Sequence, residues 1–253
     1  MPNRALCIFC GKWDSKPSKE DVIPRWIARK FGKATWENKS HHSDRVFTTR
    51  GNLGLVSRAP CTRCNNEWMS RLESAAKPIL DPLIDGVPTE LTAEQQRIVA
   101  LWFLKTCIMH EALHDENPRY FRWMERRVLM KFMMFPPITW VFLGRYIGSG
   151  DILTREQPMD LDLNFGVASS ANPQTTYGYS VTFAINQLAL QLFTVRPPEN
   201  FNTTNIGFKM SSDWHRATVQ IWPVIGTVKW PPPAAFDDEG FLLLTDRWKM
   251  LKP

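Results

Sequence analysis

The apolar positions of this chain change their period along its length. From Thr92 the spacing is helical: Ile98, Leu101, Trp102, Ile108, Met109, Ala112 and Leu113 share one face, and Thr92 with Gln95 forms a capping box. A second helical stretch runs from about Arg119 to Met134 and stops before Pro136-Pro137. Beyond it come β-branched and aromatic runs bounded by Asn, Gly and Pro: ITWVFLGRYI, YGYSVTFAI, LALQLFTV and ATVQIWPVIGTV. A turn at Asn186-Gln187 joins two of them as a hairpin, and a proline-rich break from Trp230 to Pro233 precedes a short tail. Residues 1 to about 80 read as short elements punctuated by turns, and DGVPTE reads as a linker. The expected class is α+β, in three segments: a small module over 1–84, a linker and helical connector over 85–136, and an antiparallel β-rich segment over 137–253.

Composition changes this picture little. The 253 residues are 43% hydrophobic and 22% charged, as in ordinary globular proteins. No apolar run reaches membrane-spanning length, and MPNRALC lacks the apolar core of a signal peptide. A cytoplasmic protein with no membrane partner is expected, its oligomeric state open. Charge says more. Residues 1 to 80 carry 15 Lys+Arg against 7 Asp+Glu, whereas the rest carries 16 against 18. The positive excess therefore sits in the first segment, interleaved with tryptophan. That is what a phosphate backbone attracts, although a solvated basic face has the same composition.

Four of the five cysteines form two CxxC pairs, Cys7-Ile-Phe-Cys10 followed by Gly11, and Cys61-Thr-Arg-Cys64 running into NNEWMSRLESAAK. Zinc takes four thiolates in a tetrahedron, and in a reducing compartment such pairs more often hold metal than form disulfides. A knuckle ending in glycine, paired with a CxxC whose last Cys opens a helix, resembles a treble clef. Amides at that helix start stabilise the thiolates. Cys107, within the long helix, reads as a small core residue.

The long helix also carries His110-Glu111-Ala112-Leu113-His114, which fits the HExxH pattern of zinc proteases. The continuation of the extended metzincin pattern is absent, because His114 is followed by DENPRYFR. A zinc protease through His110 and His114 is the weakest of the functional readings.

CIFCG, SKEDVIPRW and CTRCNNEWMSRLE, taken in order, resemble the zinc-containing HNH (ββα-metal) endonuclease family over roughly the first 75 residues. The variant group matched has an acidic residue, then Pro and Trp, then CxxCNN. The resemblance implies a ββα unit that grips one divalent cation, Mg²⁺ or a similar ion, beside a structural zinc held by Cys7, Cys10, Cys61 and Cys64. It places Glu20 at the acidic position, Pro24 and Trp26 at the downstream pair, and Asn65 at the helix ligand. Asp21 stands where the family has its general-base histidine. An imidazole with a pKa near neutrality suits that task better than an aspartate, but an aspartate can ligate Mg²⁺ beside Glu20. A base would then come from elsewhere, with His41-His42 as the candidate pair; Asn52, nine residues before Cys61, stands farther from that cysteine than the family's central asparagine does. The implied activity is hydrolysis of DNA phosphodiesters by Glu20, Asp21 and Asn65. Arg25, Arg29, Arg63 and Arg71 would engage the nucleic-acid backbone, with RNA as an alternative partner. The rival is a catalytically silent, HNH-derived zinc module that only binds. Taken alone, Ser18 to Asp21 also reads as a capping box at a helix start.

Overall fold

The structure, a computed structural model, describes residues 6–13, 17–31, 35–40, 46–50, 55–113, 120–163, 174–196 and 212–246. The capping box expected at Thr92 opens the central helix: Thr92 Oγ1 accepts from the Gln95 N–H at 3.3 Å, and Gln95 Oε1 accepts from the Thr92 N–H at 2.9 Å. The helix spans Ala93–Glu111 and is α4 in chain order among the described residues. Reading it as one-faced was too narrow. Val99, Ala100, Phe103, Leu104 and Cys107 are fully buried alongside Leu101 and Trp102. A helix apolar on all sides lies inside the fold rather than on it.

The second helical stretch is shorter than expected. Helix α5 (Trp123–Phe132) begins where Glu125 Oε2 accepts from the Arg122 N–H and ends at Met133, left-handed at φ 50°.

An eight-stranded sheet packs against α4. Its strands are β2 (Thr35–Ser40), β3 (Val46–Arg50), β6 (Ile138–Tyr146), β7 (Ile152–Leu163), β8 (Gln174–Ile185), β9 (Leu188–Arg196), β10 (Thr218–Trp222) and β12 (Ala235–Phe236). The order is β10-β6-β9-β8-β7-β2-β3, with β12 also beside β6. Pairing is antiparallel except for β2 on β7 and β12 on β6. Side chains alternate across the sheet with period two. Val141 and Leu143 join the buried cluster that contains α4, while Phe142 and Tyr146 join a second cluster. That second cluster includes Trp214 of α6 (Ser212–Ala217) and Phe241 and Leu244 of α7 (Asp238–Asp246). At β6, β8 and β9 the sheet is thus buried on both faces. The hairpin β8–β9 turns at Asn186, in the left-handed conformation asparagine tolerates, and its Nδ2 donates to the Ile84 carbonyl at 2.9 Å.

The first segment contains β1 (Glu20–Asp21), antiparallel to β4 (Val56–Ser57), with α1 (Arg25–Lys30) and the β2–β3 pair inserted between them. Residues 20–21 are therefore strand, not the helix start a capping box at Ser18 would give. Then α2 (Thr62–Cys64), a π-helical turn (Asn65–Met69) and α3 (Ser70–Ile84) run on as one rod. The rod ends at Gly86, φ 73°, whose N–H donates to the Leu83 carbonyl. The expected linker is anchored immediately after: β5 (Thr89–Leu91) pairs with β11 (Val228–Trp230). Boundaries at 84/85 and 136/137 fall between elements, yet one buried cluster runs from Cys7 through Leu80 and Trp102 to Leu190 and Trp230. Among the described residues, no helix is long and apolar enough to cross a membrane.

Candidate metal centre and adjoining cleft

The four paired cysteines converge. Their sulfurs all lie within 4.8 Å of one another, with Cys7 to Cys64 at 3.7 Å and Cys10 to Cys61 at 3.8 Å. A tetrahedron with metal–sulfur bonds near 2.3 Å has edges of about 3.8 Å. The spacing is therefore that of a four-thiolate ion site, and it is far too long for disulfides. The cluster can hold a metal ion such as zinc. Local sequence explains the convergence. Gly11 takes φ 68° and its N–H donates to the Cys7 carbonyl at 2.9 Å, closing the first knuckle. In the second, the Cys64 N–H donates to Cys61 Sγ at 3.4 Å, so Cys61 caps the helix with its own sulfur. The Cys61 N–H reaches across to Cys7 Sγ at 3.3 Å. Contact with Cys64 draws the Cys7 thiol down to about 4, while the same contact drives Cys64 up. The thiolate is the form of cysteine that ligates metal. Phe9 packs edge-on against Trp68 at 4.9 Å, and Met130 of α5 reaches Cys64 Sγ at 3.8 Å, so the cluster is roofed by apolar groups.

One turn along the rod lies a cleft of about 350 Å³, lined by Glu20, Trp26, Asn65, Asn66, Ser70, Glu73, Ser74 and Lys77. The π-helical turn widens the rod where it faces β1, and such turns recur at functional sites. Glu20 and Asn65, 45 residues apart, are brought together here. Asn65 Nδ2 donates a short hydrogen bond to Ser18 Oγ and also lies in hydrogen-bonding range of Glu20. Burial raises the Glu20 pKa, Lys105 opposes that rise, and the charges of Glu73 and Asp21 add to it. Lys105 Nζ stands 3.8 Å from Glu20 Oε1. At the cleft, Lys77 Nζ lies 5.5 Å above the Trp26 ring.

The remaining sequence-derived residues fall as follows. Asp21 does not line the cleft; its Oδ2 accepts from Arg25 Nε at 2.7 Å. Arg25 and Arg63 are both about 70% exposed, and Arg63 pairs with Glu67 at 3.2 Å. Arg29 on α1 and Arg71 on α3 are also exposed. His41, His42 and Asn52 lie outside the described residues, as does His114. His110 is fully buried, with Nδ1 3.5 Å from Glu156 Oε2 and Nε2 3.4 Å from Thr154 Oγ1. Glu111 accepts from the Tyr120 N–H. Among the described residues, the cysteine cluster is the one group of three or more His, Cys, Asp or Glu that could hold a metal ion.

Three residues of the cleft region escape a motif search. Glu73 follows Asn65 by eight positions, two turns along the rod, and that spacing was the available signal. Lys105 sits in the apolar run ALWFLKTCIM, where a lone lysine is itself conspicuous. Ser18 stands in the sequence as the first residue of a possible capping box, with no sign of its contact to Asn65. Comparison with protein-family models, with curated proteins and with solved structures finds no match.

Proposed function

We propose that the chain is a metal-dependent, HNH-like endonuclease that hydrolyses phosphodiester bonds of DNA in the cleft beside the cysteine cluster. The observation that carries this reading is that Glu20 on β1 and Asn65 on the rod line one cleft, with the β1–β4 pair and the rod arranged as strand, strand and helix. In this reading Cys7, Cys10, Cys61 and Cys64 hold a structural zinc in a treble-clef arrangement. It fixes the start of the rod and thereby the position of Asn65. Glu20 and Asn65 offer oxygen donors, which suit Mg²⁺ or Mn²⁺. A cation bound there would neutralise the scissile phosphate and the developing charge on the leaving oxygen. Lys77 and Trp26 offer a cation and an aromatic face to the flanking strand, and Arg25, Arg29, Arg63 and Arg71 lie exposed on the helices of the same segment.

A second reading has its own observation. Asp21 is engaged by Arg25, and among the described residues no histidine lines the cleft, as fits a module that binds nucleic acid without cutting. Plasmid nicking with Mg²⁺, Mn²⁺ and Ni²⁺ separates the two. Cleavage that is lost in Asn65→Ala, with zinc content and melting unchanged, supports the nuclease. Binding with no cleavage under any of the three ions replaces it with the binding module.

A further inference from the structure

The tryptophans of this chain differ in where they stand. Trp68, Trp102, Trp214 and Trp230 are buried, whereas Trp13 is 64% exposed and Trp123 is 42% exposed. Large aromatic rings left in water on one part of a surface mark an interaction site rather than a core. These two rings share such a part. Lys12 and Trp13 follow the first cysteine knuckle directly, and Trp13 bridges back to Leu6. Trp123 opens α5, and its ring lies against the same knuckle: a Cβ on Gly11 would stand 3.0 Å from Trp123 Nε1. Gly11 and Trp13 are two residues apart, so their Cα atoms lie within about 7 Å of each other. Met130, further along α5, reaches Cys64 Sγ at 3.8 Å. The cysteine cluster therefore anchors α5 at two points and keeps both rings on neighbouring parts of one surface.

That surface is basic. Trp123, Arg127 and Lys131 follow at four-residue steps along one side of α5. The Arg127 guanidinium lies 4.8 Å over the Trp123 ring, a cation–π contact that orders both groups. Residues 122–132 carry four Lys+Arg against one acid, Glu125. Glu125 is already engaged, by the Arg122 N–H and by Arg196 at 3.6 Å. Among the described residues, Lys12, Arg127 and Lys131 make no ion pair, and their charge stays available to a polyanion. A charge count by segment hides this patch, because acids elsewhere in the later residues balance it.

Cations beside exposed rings suit unpaired nucleic acid. A duplex keeps its base faces inside its own stack, whereas a single strand offers bases to aromatic rings and phosphates to cations. A second copy of this chain fits worse, since a twofold contact here would set the cations against their own images.

We propose that the first cysteine knuckle and α5 together form a docking surface for single-stranded DNA. Bases stack on Trp13 and on the exposed part of the Trp123–Arg127 pair, while Lys12 and Lys131 meet the phosphates. The choice of DNA rests on the proposed function; the surface itself lies outside the Glu20–Asn65 cleft and goes beyond that reading.

The test titrates the full chain, carrying its zinc, into fluorescein-labelled oligothymidylate and into a duplex of equal length, with anisotropy as the readout. Trp13→Ala should weaken single-strand binding about 5- to 150-fold, the range for one lost base stack, and leave duplex affinity within about twofold. Trp123→Ala should lose affinity over the same range, and Trp123→Tyr, which keeps an aromatic face, should restore most of it. Lys131→Gln should flatten the salt slope by about 0.7, as for one phosphate contact on a single strand. Should Trp123→Ala lose its zinc, Trp13→Ala, at an exposed position, still decides. Single-strand affinity unchanged in Trp13→Ala overturns the proposal and leaves the proposed function standing on the cleft. An equal fall on the duplex overturns it as well. Tighter binding of the matching RNA strand overturns the choice of DNA. A changed sedimentation coefficient in Trp13→Ala, with DNA affinity intact, assigns the surface to a second copy instead. Selective single-strand loss in the variants of a protein that nicks no plasmid keeps the surface and removes the nuclease.

Discussion

Glu111 closes α4 at 8% exposure, and its surroundings penalise its charge. Oε1 accepts from the Tyr120 N–H, but Oε2 has no hydrogen-bond partner among the described residues. Burial is the largest influence, the charge of Glu156 adds to it, and the Tyr120 and Phe121 amides with Arg126 oppose it; together they push the carboxyl up to about 7. The folded chain then holds this proton more tightly than the unfolded chain, whose value is near 4.5. Below about 4.5 the stabilisation is complete. It is lost progressively as pH rises toward 7 and no further above that. A pKa carried from 4.5 to about 7 is worth about 3 kcal/mol between the two limits. Glu111→Gln keeps an acceptor for Tyr120 and removes the titration. Urea unfolding of both proteins at fixed ionic strength should give similar stabilities at pH 5, with the variant ahead by up to about 3 kcal/mol at pH 8. The same difference at both pH values, or a wild type that gains on the variant as pH rises, would refute the argument.

Protein purified without chelator should carry one zinc per chain by elemental analysis, and chelation or Cys61→Ser should unfold the segment built on the cluster, because binding free energy at such sites is folding free energy. Finding no zinc, or an unchanged far-ultraviolet spectrum after its removal, contradicts this. Affinity for duplex DNA should fall with salt by about 0.9 in log affinity per phosphate contact in each log unit of salt. Reversing Arg29 and Arg71 to glutamate should flatten that slope, and a slope indifferent to them would detach the basic segment from binding.

The sequence disclosed most where chemistry is local. The two CxxC pairs, the Thr92 capping box and the Asn186 turn each depend on residues a few positions apart, and each is present. Strands buried on both faces were legible as apolar runs, as in β6 and β9. β7 was not read as a strand, because Arg155 and Glu156 interrupt its apolar pattern; both are buried. The sheet's β2 and β3, TWENKS and VFTTR, are polar enough to pass as loop. The cleft was half legible. Glu20 and Asn65 belong to motifs, whereas Glu73 and Lys105 acquire their relation to Glu20 only when α3 and α4 pack beside β1. Asp21 was placed by its neighbour in the sequence, and strand alternation turned it the other way.

The parallel pairing of β2 with β7 joins Trp36 to Ile152, partners more than a hundred residues apart. At synthesis rates of 5–20 residues per second, β2 leaves the ribosome on the order of ten seconds before β7. During that interval the β2–β3 hairpin has an open hydrogen-bonding edge, the feature that recruits other chains into aggregates. Its charged and hydroxylated composition, so poor a strand signal, is what allows it to wait in water. Cutting the chain at 84/85 would make the interval permanent, leaving the β7-facing edge of β2 open on one fragment and the matching edge of β7 on the other.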